Sequence, residues 1–61
     1  MIELKVYVGG KLEVTIACNE DRARVELVEA KSRPEVDRIE IEPGDRAPTT
    51  LKRSGDRWVT I

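Results

Sequence analysis

Apolar and polar residues trade places at period 2 over residues 2–8, 12–16 and 23–27, and again over 38–42. Alternation of this kind sends one set of side chains to each face of a β-sheet. It predicts strands at 2–8, 12–18, 23–30, 38–42, 51–53 and 57–61. The expected fold class is therefore all-β: a single antiparallel sheet of five to six short strands, curled into a small SH3-like or OB-like barrel. Closure would hide edges that a short open sheet leaves exposed. The expected core is Ile2, Leu4, Val6, Leu12, Val14, Ile16, Val25, Leu27, Ile39, Ile41, Leu51, Val59 and Ile61.

Face matching sets the expected register of the first hairpin. A two-residue Gly9-Gly10 loop would oppose Val6 to Glu13 and split the apolar set between faces. A three-residue loop, Val8-Gly9-Gly10, pairs Val6 with Leu12 and Leu4 with Val14, and sets Lys5 opposite Glu13. That loop needs a left-handed residue at Gly10 alone, so Gly10→Ala should cost more than Gly9→Ala.

Residues 20–32 admit two readings. As a strand after a four-residue turn at 19–22, the segment pairs Cys18 with Ala23 and Ile16 with Val25, with a bulge near Leu27-Val28. As a helix it gives a ββαββ β-grasp, with Asn19 as its cap, Glu20 and Asp21 in its first turn, and Lys31 and Arg33 at its end. A 100° step scatters Val25 and Val28 away from Ala23, Leu27 and Ala30, so the period favours the strand. Further on, Pro34 marks a connection, and Glu42-Pro43-Gly44-Asp45 has the signature of a type II turn. Ser54-Gly55-Asp56 is expected to close the last hairpin.

Sixty-one residues make one small domain, 1–61, with a thin stability margin. Cys18 is the only cysteine and histidine is absent, which excludes an internal disulfide and leaves no soft metal cage. No cofactor is expected. Net charge is −1, split into −3 over residues 1–44 and +2 over 45–61, which is not the basic footprint of a nucleic-acid binder. No apolar run approaches a membrane span and no signal-peptide core precedes the charged start, so a cytoplasmic location is the expectation.

Phe, His and Gln are all missing, Val, Ile and Leu dominate the apolar set, and charges fill nearly every second strand position. In style the chain resembles computationally designed small β-rich proteins. That resemblance implies a non-catalytic scaffold with no natural function, although free thiols such as Cys18 are usually avoided in designs.

Candidate chemistry is sparse. Cys18 has no base to activate it as a nucleophile and reads as a small core residue. Glu40, Glu42 and Asp45 lack calcium-loop spacing and read as a solvated face. No enzyme is expected. The expected function is a protein-interaction module, with a protein partner or a second copy engaged through an edge strand or the 45–57 loops. The alternative is a small nucleic-acid-binding barrel using Tyr7, Lys52, Arg53, Arg57 and Trp58, where aromatics stack bases and cations hold phosphates.

Overall fold

The computed structural model describes all residues, 1–61. Its elements are β1 (Ile2–Val8), β2 (Lys11–Cys18), α1 (Glu20–Ser32), β3 (Val36–Glu42), β4 (Thr49–Ser54) and β5 (Arg57–Thr60). The five strands form one antiparallel sheet in the order β2-β1-β3-β4-β5. β2 and β5 do not pair, so the sheet is open and the expected barrel does not form.

Residues 20–32 are a helix, not the strand that the period-2 reading favoured. The Asn19 side chain accepts from the Arg22 N–H at 2.8 Å, and the first helical bond runs from the Ala23 N–H to the Asn19 carbonyl at 2.9 Å. Glu20 and Asp21 complement the helix N-terminus, and Arg22–Glu26 and Glu20–Arg24 pair one turn apart. The buried face is built from alanines, Ala23 and Ala30, with Leu27 packed beside them. Val25 and Val28, which upset the helical pattern, lie on the solvent side, 45% and 68% exposed. The helix occupies the place given to it by the β-grasp reading, but three strands follow it, not two.

The helix packs over β1 and β3. Leu4, Val6, Val36 and Ile39 are at most 2% exposed beneath it, and Leu27, Ile41, Leu51 and Trp58 pack around this cluster. Ile2 and Ile16 are half-buried. The remaining expected core members, Leu12, Val14, Val25, Val59 and Ile61, are exposed, whereas Ala23, Ala30 and Val36 are buried without having been expected. Cys18 sits opposite Ile2 on the helix side of the sheet and is partly buried.

The first hairpin corrects the register argument. Gly9 and Gly10 form a two-residue turn between Val8 and Lys11, with φ of +59° and +79°. Positive φ at both positions is what a type I′ turn requires. A β-bulge at Glu13 then resolves the face conflict: Tyr7 opposes Leu12, Val6 opposes Val14, and Lys5 opposes Thr15, not Glu13. Leu12 is carried to the outer face by this shift, because directly opposed residues share a face. The closing hairpin likewise turns in two residues, Gly55-Asp56, with Gly55 at φ +68°. Gly44, at φ +88°, has the positive φ expected of its turn.

A Cβ at Gly9 or Gly10 would meet nothing within 4 Å, so only backbone strain opposes substitution. Gly9→Ala and Gly10→Ala are each expected to lose about 1–2 kcal/mol in chemical denaturation, a left-handed residue's usual penalty. Near-equal losses fit the two-residue turn; a loss at Gly10 alone would restore the bulged three-residue loop.

Beyond the helix, the Arg33 Nη2 reaches both Glu13, at 3.0 Å, and Glu35, at 2.9 Å, and clasps the β2 bulge to the α1–β3 turn. The Glu35 carboxyl is held below its ordinary range, first by its own backbone N–H and then by Arg33. A carboxyl depressed in this way contributes stability above its unfolded pKa and loses it as pH falls through the folded value. The Arg33–Glu35 pair should therefore open in acid, below the ordinary carboxylate range. Carboxyl NMR titration checks this: Arg33→Met should raise the Glu35 midpoint only part of the way, since the backbone donor remains.

Candidate interaction surface

Cross-strand partners on the face opposite the helix line up as one row across all five strands: Leu12, Tyr7, Arg38, Lys52 and Val59. A second bulge, at Asp37, keeps Arg38 opposite Tyr7 while Val36 opposes Val8 on the core side. The Asp37 Oδ2 accepts from the Gly10 N–H at 3.0 Å and ties this bulge to the first turn.

Within the row, the Arg38 guanidinium lies 4.1 Å from the Tyr7 ring centroid. The Tyr7 hydroxyl donates to Glu40 Oε1 at 3.0 Å, and Arg38 Nη2 approaches Glu40 Oε2 at 3.7 Å. Lys52 stands directly opposite Arg38 and has no ion-pair partner. Like charges placed opposite one another are destabilising, and of the two only Arg38 has a carboxylate beside it, Glu40. At the other end of the same face Glu3 opposes Glu42. Arg38, Lys52 and Arg57 lie toward the hairpin turns and Glu3 and Glu42 toward the far end, with Lys5 opposite Glu40 between them. Leu12 and Val59, 51% and 43% exposed, flank the cations. A shallow depression of about 270 Å³ lies at the turn end of the sheet, lined by Gly10, Asp37, Arg38, Lys52, Arg53 and Ile61.

The five residues nominated from sequence do not form one surface. Tyr7 and Lys52 share the outer row and Arg57, opposite Ser54, extends it. Arg53 and Trp58 oppose each other on the helix side. There the Arg53 Nε donates to the Val36 carbonyl at 2.9 Å, and Nη2 donates to the Arg33 and Lys31 carbonyls at 2.9 and 3.1 Å. Its guanidinium lies 4.6 Å from the Trp58 ring centroid. A cation that binds carbonyls at the end of a helix complements the helix dipole, so Arg53 is held at the helix end with Trp58 stacked on it. Leu12, Arg38 and Val59 belong to the outer row and went unnamed as site residues. Arg38 had a usable signal, since its strand parity matches Glu40; Leu12 had none, because the bulge decides its face.

Glu40, Glu42 and Asp45 do not assemble, and no group of three or more metal-ligating side chains forms. No helix is long and apolar enough to cross a membrane. Comparison with protein-family models, curated proteins and solved structures finds no match to this chain.

Proposed function

We propose that this chain is a non-catalytic protein-interaction module that binds an acidic, partly apolar segment of a partner on the outer face of its sheet. The observation that carries the reading is the row Leu12–Tyr7–Arg38–Lys52–Val59, which no element of the chain covers and which sets two like charges side by side. An incoming carboxylate relieves that repulsion, while apolar side chains find Leu12 and Val59. Aromatic and Arg groups within a polar rim are the usual anchors of such surfaces. The regular, design-like composition fits a scaffold of this kind.

The nucleic-acid alternative has less support. Glu3, Glu40 and Glu42 share the face with the cations, and Trp58 lies on the opposite side of the sheet from Tyr7. Fluorescence anisotropy at low salt separates the two. Labelled acidic peptides containing Leu or Phe should bind, weaken as salt rises, and lose binding to the Arg38→Glu/Lys52→Glu variant. Single-stranded or duplex oligonucleotides binding more tightly than every peptide would replace this proposal with the alternative.

A further inference from the structure

The β2 edge has an unguarded half. β2 pairs only with β1, so its other side presents unpaired backbone donors and acceptors over the strand Lys11–Cys18. Edge strands are normally protected by charge, proline, a bulge or shortness. The first half of β2 has two of these: Lys11 and Glu13 are charged, the bulge falls at Glu13, and Glu13 is tied to Arg33. The second half, Val14-Thr15-Ile16-Ala17-Cys18, has no charge, proline, glycine or bulge. The helix packs chiefly over β1 and β3, and Val14 is left 39% exposed while Ile16 and Cys18 are only partly buried. β5, the opposite edge, is protected by its four-residue length.

We infer that two copies of this chain pair antiparallel along β2 over residues 14–18, with Ile16 facing Ile16 of the second copy. Faces are preserved only when facing residue numbers sum to an even number. Centring on Ile16 puts Val14 opposite Cys18 and Thr15 opposite Ala17, so all five uncharged residues pair with one another. Centring on Thr15 would set the bulged Glu13 against Ala17, and centring on Ala17 would draw in Asn19, which caps the helix. In the Ile16 register, Val14, Ile16 and Cys18 of both copies form one apolar row on the helix side, and no like charges meet. This self-complementarity selects a second copy over a foreign strand. The two sheets become one continuous sheet with both helices on the same side, and the outer rows stay open. The inference uses the edge and not the outer face, so it stands or falls apart from the binding proposal.

The native thiol allows a register test. In the paired state, Val14→Cys sets the new thiol opposite Cys18 of the second copy. Within one copy these positions are four residues apart on a strand, roughly 13 Å, well beyond disulfide reach. Mild oxidation with oxidised glutathione should convert most of the V14C protein to a covalent dimer. Peptide mapping should find the introduced thiol of one copy bonded to Cys18 of the other. V14C/C18A should remain largely monomeric under the same treatment. Sedimentation velocity of the unmodified chain should show concentration-dependent dimerisation, weakened by Ala17→Lys, which adds a charge to the edge and faces Glu3 within its own sheet. A wild-type chain that stays monomeric up to millimolar concentration overturns the inference. So does a cross-link that forms equally well between the two introduced thiols.

Discussion

Arg53→Ala is expected to destabilise the protein by about 2–4 kcal/mol, since hydrogen bonds from a charged group to partly buried acceptors each contribute about 1.5–3 kcal/mol and do not add fully. Three carbonyls, those of Lys31, Arg33 and Val36, lose their donor together, and Trp58 loses the guanidinium stacked on it. The loss falls where the helix ends and β3 begins, so the helix C-terminus and the sheet should loosen as one. Arg53→Lys keeps the charge but not the planar fork, and should recover less than half of the loss. Denaturant midpoints measure both. An Arg53→Ala protein within about 0.5 kcal/mol of the parent, the usual range for a surface change, would mean that this guanidinium does not hold the helix end.

Ile39→Ala should be at least as severe, about 3–4 kcal/mol from lost burial plus the cavity left behind. Ile39 is fully buried, opposite Val6 on one side and Leu51 on the other, and belongs to the same cluster as Ala30 and Val36. Only six residues of 61 are buried, so little of the surrounding structure can close over the gap. A domain of this length has a total stability of roughly 3–9 kcal/mol, so the variant should lose about a third of it or more. Ile61→Ala, at a position 72% exposed, is the matching control and should change the midpoint little. Circular dichroism during urea unfolding distinguishes the two.

Where alternation alone decided, the strands were legible in the sequence. β1 lies where period 2 put it, and β3 contains the expected 38–42 but begins two residues earlier, at Val36, across the bulge at Asp37; Glu3 and Lys5 of one and Arg38, Glu40 and Glu42 of the other share a face, while Leu4, Val6 and Ile39 are buried on the other. Gly44 takes the positive φ that Pro43-Gly44 signalled. The helix was misread because its buried face consists of small alanines while two valines face solvent, which erases the 3.6-residue signature. Its polar punctuation was the better guide: Asn19, the early acids and Lys31 all act as such residues do at helix ends. The first turn was misread for a different reason. Face matching assumed unbroken strands, and a single extra residue at Glu13 lets the Gly-Gly turn and the apolar face coexist.

The candidate site was legible only within strands. Tyr7 and Lys52 could be nominated as exposed aromatic and cation, but their alignment depends on β1 and β4 flanking β3, a long-range arrangement that composition does not encode. Arg53 and Trp58 show the converse. The register of the last hairpin makes them neighbours, yet what Arg53 bonds is the end of a helix about twenty residues earlier, and only the tertiary fold gives it that structural role.

The most direct test of the outer face as the binding surface is amide and side-chain chemical-shift mapping while an acidic, Leu-containing peptide is titrated into the labelled protein. The largest shifts should fall on Leu12, Tyr7, Arg38, Lys52 and Val59, with Arg53, Trp58 and the helix unmoved. Shifts confined to the helix or to the Arg53–Trp58 side, with the outer row silent, would contradict the account.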